Sequence, residues 1–340
     1  MTILAGVDIG GTKCAVSVGR TVGHEIQLMG KYSFPTPAAP EIAISQMLTA
    51  LSELLEQQGI SWRDGGGAIV LSAIGISCGG PLDSRTGMIL SPPNLPGWDR
   101  IDIVTPFQER FGVPTGLQND ANACALAEWK WGAGQGARNL IFLTFGTGMG
   151  AGLILDGKLY VGKNDMAGEV GHIRLEQNGP VGYGKSGSFE GFCSGGGIAR
   201  LARMRAKERL QLGERLSFCA SESELEEITT KKVAEAAIAG DLLALSIFET
   251  VGRRLGQGLS ILIDILNPER IIIGSIYARQ QSLLEPYVME VIDQEALALS
   301  RSACTIVPAG LGEQVGDYAG LSVALHSLQG GGGLPSAVLP

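Results

Sequence analysis

The stretch ILAGVDIGGTKCAVSVG, residues 3–19, reads as strand, glycine turn, strand. Val7 and Ile9 flank Asp8 before the turn, and Ala15, Val16 and Val18 resume the apolar character after it. A second stretch, NLIFLTFGTGMGAGLILDGKLYVG (139–162), repeats the plan: strand, glycine turn, strand, a tight turn at Asp156-Gly157, and a further strand. Two such hairpins, far apart in the chain, point to two lobes of one design. The 340 residues agree, being too many for one ordinary core.

Composition narrows the function classes. Hydrophobic residues make up 45% of the chain and the mean hydropathy is +0.20, as in a well-buried globular protein rather than a disordered one. A formal net charge of −8 argues against a nucleic-acid-binding face. The basic run RLARMRAKERL (200–210) reads as the solvated side of an amphipathic helix. Cys14, Cys78, Cys124, Cys193, Cys219 and Cys304 never form C-x-x-C, so reduced thiols in the cytoplasm are expected. MTILAGVDIGG has no basic flank, and Asp8 interrupts its apolar run, so it is not a secretory signal. The longest apolar stretch, LSILIDILNPERIIIG (259–274), is broken by Asp264, Asn267 and Pro268 and crosses no membrane.

Helical spacing runs through PEIAISQMLTALSELLEQQG (40–59), with Gly59 as its stop, and through the region 229–267 before a strand at RIIIG (270–274). AIVLSAIGISCGGPLD (68–83) reads as a buried strand entering a Gly-Gly-Pro loop. DANACALAEWKWGAG (120–134) reads as a helix with Asp120 at or just inside its N-terminus, where a plain helix cap is the bland alternative. The tail from 329 to 340 is glycine-rich and expected to be loosely held.

DIGGT (8–12) and GTGMG (146–150) are candidate phosphate turns: glycines let backbone N–H groups approach an anion, and threonine adds a donor. Neither is a Walker loop, which needs Lys before Ser/Thr and a following helix. GTGMGA is no dinucleotide fingerprint, because Ala151 falls where the last glycine belongs and a strand follows. Asp8, beside the first turn, would hold a hydrated Mg²⁺ near nucleotide phosphates.

Together these motifs resemble the ROK family (repressor, open reading frame, kinase) of the actin-like ATPase-domain superfamily. The likeness runs through GVDIGGTK, GGPLD with PPNLPGW (92–98), NDANACALAE, LTFGTGMGAGLILDGKLYVG, AGEVGHI and LIDILNPERIIIG. It implies an α/β fold of two lobes, each with a mixed central sheet, and an interlobe cleft. It implies an ATP:hexose phosphotransferase acting on a glucose-like sugar at its 6-hydroxyl, with ATP and Mg²⁺. Asp120 would be the general base. Gly79, Gly80, Asn94, Asn119, Glu169, His172 and Glu190 would bind the sugar, whose hydroxyls need paired donors and acceptors. Gly10, Gly11, Thr12, Lys13, Gly146, Thr147 and Gly148 would line the phosphates, and Gly274 the adenine side. There the family has Gly-Gly and this chain has Gly274-Ser275.

One departure concerns a metal. Many members carry three cysteines after the GH histidine that, with the histidine, hold a structural zinc. Val181, Tyr183 and Ser188 occupy those positions here, so a four-coordinate Cys₃His zinc is excluded on ligand chemistry and no zinc is expected. Packing of Val181, Tyr183 and Phe189 into an apolar cluster is the expected replacement.

Competing readings are a fructose, N-acetylmannosamine or other hexose kinase, a sugar-responsive repressor, and a non-catalytic sugar sensor. The family's repressors carry a winged helix before the first phosphate turn, whereas Asp8 stands almost at the start here. The expected lobes are 1–118 plus 317–328, and 119–316, with 329–340 as a tail. The resemblance also implies a homodimer; neither nucleic acid nor membrane is an expected partner.

Overall fold

The computed structural model describes residues 1–23, 25–62 and 69–330. The expected tail lies outside the described residues from 331 onward. The chain forms two compact units, Met1–Gly136 with Gly152–Ala167 and Glu313–Pro340, and Ala137–Ala151 with Gly168–Gly312.

In the first unit the main sheet runs in the order Glu25–Pro35, Lys13–Val22, Ile3–Ile9, Ile69–Cys78, Ile60–Ser61, and Thr115–Asn119 also pairs with Ile69–Cys78. The first three strands are antiparallel; Ile69–Cys78 joins Ile3–Ile9 in parallel, as Thr115–Asn119 joins Ile69–Cys78. Alternation along Ile3–Ile9 builds two layers. Ile3, Ala5, Val7 and Ile9 enter a core with Met47 and Leu51 of the helix Pro40–Gln57. Leu4 faces the other way, onto Leu321 and Ala324 of the helix Val315–Leu328. The helix Asp120–Trp131 packs on that same C-terminal helix, and Ser322 Oγ donates to Ala123 O at 2.9 Å. This packing carries the compact unit through Gly136, past the boundary at 118/119 expected from the sequence.

In the second unit Leu140–Phe145, Arg270–Ile273 and Thr305–Pro308 are parallel neighbours, with Ile141 beside Ile271 and Ile271 beside Ile306. The strand Met149–Leu155 starts in this unit and ends in the first, where Ile154 pairs with Leu159. Asp156 and Gly157 between them have φ of 51° and 72°, the left-handed pair of a tight hairpin turn. The region 229–267 forms two helices: Thr230–Ile238 ends, and Gly240 at φ 91° precedes Asp241, whose carboxylate caps Leu242–Leu266 by accepting from Ala244 N at 2.9 Å. All six cysteines are unpaired. Among the described residues no helix is long and apolar enough to cross a membrane.

Candidate functional site

Asp8 sits one residue from the end of its strand, opposite Ala15 on one side and Ser77 on the other. The turn that follows is closed by Gly10 N donating to Lys13 O at 3.0 Å. Thr36 pins it from outside: its hydroxyl donates to Gly10 O at 2.6 Å and its N–H to Thr12 O at 3.1 Å. Thr12 and Lys13 are exposed at its tip. A side chain on Gly11 would collide with the Asn94 carbonyl, and a Cβ on Gly79 would stand 3.3 Å from Asn94 Oδ1. Gly11, Gly79 and Asn94 are therefore one cluster, next to exposed Gly80, whose bond to Pro81 is cis.

The strand Thr115–Asn119 delivers the next two residues. Asn119 caps the following helix, its Oδ1 accepting from Asn122 N at 2.7 Å. Asp120 is the first helical residue, and its Oδ1 accepts from Ala121 N at 2.8 Å. The cap is thus supplied by Asn119 and leaves the Asp120 carboxylate another role. Asp120 reaches solvent, yet the protein packed around its carboxyl raises its pKa, against the lowering pull of the Ala121 N–H; contact with water limits that rise. Asp8 is raised from its ordinary 3.8 to about 6, first by burial and then by the Asp120 carboxylate, with Lys31 and Lys13 pulling the other way. Burial and these same two carboxylates push the Cys78 thiol up, keeping it neutral.

In the second unit the turn Gly146-Thr147-Gly148 joins Leu140–Phe145 to Met149–Leu155. Gly146 N donates to Gly148 O at 3.2 Å, and Gly195 N, at the start of the helix Gly195–Gln211, donates to Gly146 O at 2.7 Å. Glu190 is bound to this turn: its Oε2 accepts from Met149 N at 3.1 Å, and a Cβ on Gly148 would stand 2.9 Å from the same oxygen. Glu169 precedes the short helix Val170–His172 and His172 ends it, both with exposed side chains. A Cβ on Gly171 in that helix would stand 3.2 Å from Glu190 Cβ. Glu169, His172 and Glu190 thus share one neighbourhood beside the second glycine turn.

The expected apolar cluster of Val181, Tyr183 and Phe189 does not form. Val181 and Tyr183 are 46% and 73% exposed, whereas Phe189 is fully buried. The cause is strand alternation: in the hairpin Val181–Gly182 with Lys185–Ser186, Gly182 faces in, against the Gly191 backbone, so its two neighbours face out. Tyr183 lies edge-on to His172, ring centroids 6.4 Å apart. Hydrogen bonds brace the loop instead. Ser188 Oγ accepts from Gly191 N at 3.1 Å and donates to Gly182 O at 3.4 Å, and Lys185 Nζ donates to His172 O at 2.7 Å. Arg174 Nη1 donates to Ser186 O at 2.9 Å, and Phe189 N to Ile173 O at 2.8 Å. Among the described residues no group of three or more His, Cys, Asp or Glu is arranged to hold a metal.

A cavity of about 780 Å³ opens in the second unit beside Gly146 and Thr147. Ile228, Ala234, Ile238 and Ile276 give it apolar walls, and Arg203, Lys231 and Arg279 bring positive charge. Gly148 and Gly274 are not in its lining; Ser275 is. Gly274 instead follows the strand Arg270–Ile273, donating from N to Leu143 O at 3.0 Å. Sequence reasoning missed Gly195, Gly196 and Thr229, and noted Ser275 only as a departure from the family's Gly-Gly. The signal available for the first two was Ser194 before a run of glycines, a helix start with room for an anion.

The family model described as "ROK family" matches residues 4–324. A glucokinase of Halalkalibacterium halodurans is 33% identical over 88% of this chain and 87% of its own. The crystal structure of a ROK family glucokinase from Streptomyces griseus in complex with glucose and AMPPNP superposes with a TM-score of 0.72 at 28% identity, over 95% of this chain and 99% of that one. The DNA-binding transcriptional dual regulator NagC of Escherichia coli K12 is 27% identical over 84% of this chain and 67% of its own. Motifs, fold and comparisons lead to one conclusion: the chain belongs to the ROK family, with its two-lobed actin-like ATPase fold.

Proposed function

We propose that the protein transfers the γ-phosphoryl group of ATP to a hexose, glucose-like and at its 6-hydroxyl, with Asp120 as general base. It is a sugar kinase, an ATP:sugar phosphotransferase. The observation that carries the assignment is the Asp120 carboxylate itself: first in its helix, relieved of capping by Asn119, and raised in pKa by the protein packed around it. The sugar hydroxyl gives its proton to Asp120, its oxygen bonds to the γ-phosphorus, and the bond to ADP breaks. Asn94, Asn119, Glu169, His172 and Glu190 offer donors and acceptors for the remaining hydroxyls.

Mg²⁺ fits Asp8. Its carboxylate meets no hydrogen-bond donor among the described residues, and its pKa is raised first by burial and then by the neighbouring Asp120 charge. A hydrated cation held by one or two carboxylates and substrate phosphates matches that donor set, and it would supply charge neutralisation at the transferring phosphoryl group. No structural zinc is part of this reading. We place the enzyme in the cytoplasm, where six unpaired thiols stay reduced, and as a homodimer.

The test is a coupled assay of ADP release over a panel of hexoses, fructose and N-acetylmannosamine included. Asp120→Asn keeps the helix start and should lower kcat by about 10²–10⁴-fold, the usual worth of a general base. Turnover that no sugar stimulates rejects the proposal in favour of a sugar sensor, and sugar-dependent turnover that survives Asp120→Asn rejects Asp120 as the general base.

A further inference from the structure

Ser275 follows the strand Arg270–Ile273 with φ 52° and ψ −109°. That backbone conformation suits glycine and strains a residue with a Cβ. Ser275 lines the 780 Å³ cavity, and its hydroxyl faces the second glycine turn, since a Cβ on Gly146 would stand 3.7 Å from Ser275 Oγ. Arg279, on the same cavity wall, donates from Nη2 to Ser275 Oγ at 3.1 Å. With Oγ accepting from the guanidinium, the hydroxyl proton remains to be donated. The strained serine is thus oriented by a cation and directed at a turn suited to an anion.

We propose that Ser275 and Arg279 form a contact pair for the phosphoryl donor. The Ser275 hydroxyl donates to an oxygen of the nucleotide's ribose–α-phosphate portion, and Arg279 sets its charge against the phosphate chain. The inference rests on the kinase reading above and adds donor-binding residues to it. Glycine at 275 would relax the backbone and lose this contact, so stability and nucleotide affinity move in opposite directions.

That opposition is the test. Full-length wild type, Ser275→Gly, Ser275→Ala and Arg279→Ala are titrated with ADP by calorimetry and melted without nucleotide. Ser275→Gly should melt roughly 1–4 °C higher by release of strain and bind ADP about 3–10-fold more weakly by loss of a hydrogen bond. Ser275→Ala keeps the Cβ and the strain, so it should lose the same affinity with no rise in melting temperature. Both should raise KM for ATP while leaving KM for the sugar unchanged. Arg279→Ala should weaken ADP more than adenosine. Ser275 variants that bind ADP as tightly as wild type overturn the inference while the kinase reading stands. Wild type that binds no ADP brings down the kinase reading and this inference together.

Discussion

Asp8 and Asp120 place two carboxylates in the first unit with few partners. Burial and the Asp120 charge push Asp8 from 3.8 to about 6, although Lys31 and Lys13 pull it down. A carboxyl whose folded pKa lies above its unfolded value binds its proton more tightly in the folded state. Stability therefore falls as pH rises from 3.8 to about 6 and stays reduced above that window. Asp8→Asn, neutral and nearly isosteric, should then stabilise the metal-free protein at pH 7.5 by on the order of 1–3 kcal/mol, with no gain at pH 3.5. Denaturant titrations in chelator at the two pH values measure this; an equal gain at both would assign it to packing rather than charge. Asp8 and Asp120 were legible because a carboxylate inside an apolar strand, or directly before an alanine-rich helix, stands out from its neighbours. Ser275 was not. The sequence marked it only as a departure from the family's Gly-Gly, and its positive φ and place in the cavity are visible in the coordinates alone.

The loop from 179 to 190 shows how an element can be held by short-range polar bonds. Its strands are two residues each and its closing helix, Phe189–Phe192, has four, so neither alternation nor helical period had length enough to be read. The sequence identified Ser188 only as a position where relatives have cysteine. In the fold it is fully buried and does two jobs, capping the helix that begins beside Glu190 and tying it to the Gly182 carbonyl. Ser188→Ala should cost about 1–2 kcal/mol, the usual loss for a buried cap. Because Glu190 is the second residue of that helix, the same variant should raise KM for the sugar several-fold, beyond any fall in kcat. Urea denaturation and sugar kinetics check both. Wild-type stability would show that the loop is held without Ser188.

Over the whole molecule, the paired glycine hairpins gave the two-lobe plan away, but the route of the chain between the units did not show in them. The chain leaves the first unit after Gly136, returns at Gly152, leaves again after Ala167 and comes back at Glu313. Such crossings depend on contacts distant in sequence, which local patterning does not encode. The last return matters most for the first unit, because the helix Val315–Leu328 covers one face of the sheet that carries Asp8. It lies close to the strands, and glycines make that possible. At Gly75, on the strand parallel to Ile3–Ile9, a Cβ would overlap the Gly320 carbonyl and the Ala324 N–H, backbone atoms that no side-chain rotation can move. Gly75→Ala, one methyl group on a residue with no direct part in the proposed chemistry, should therefore destabilise the protein by about 1–3 kcal/mol through overpacking. Where the sequence offers only a glycine inside an apolar strand, a propensity argument favours alanine, which is the better strand and helix former of the two. Denaturant unfolding decides between them: a loss locates the close approach of helix to sheet, and wild-type or higher stability would refute it.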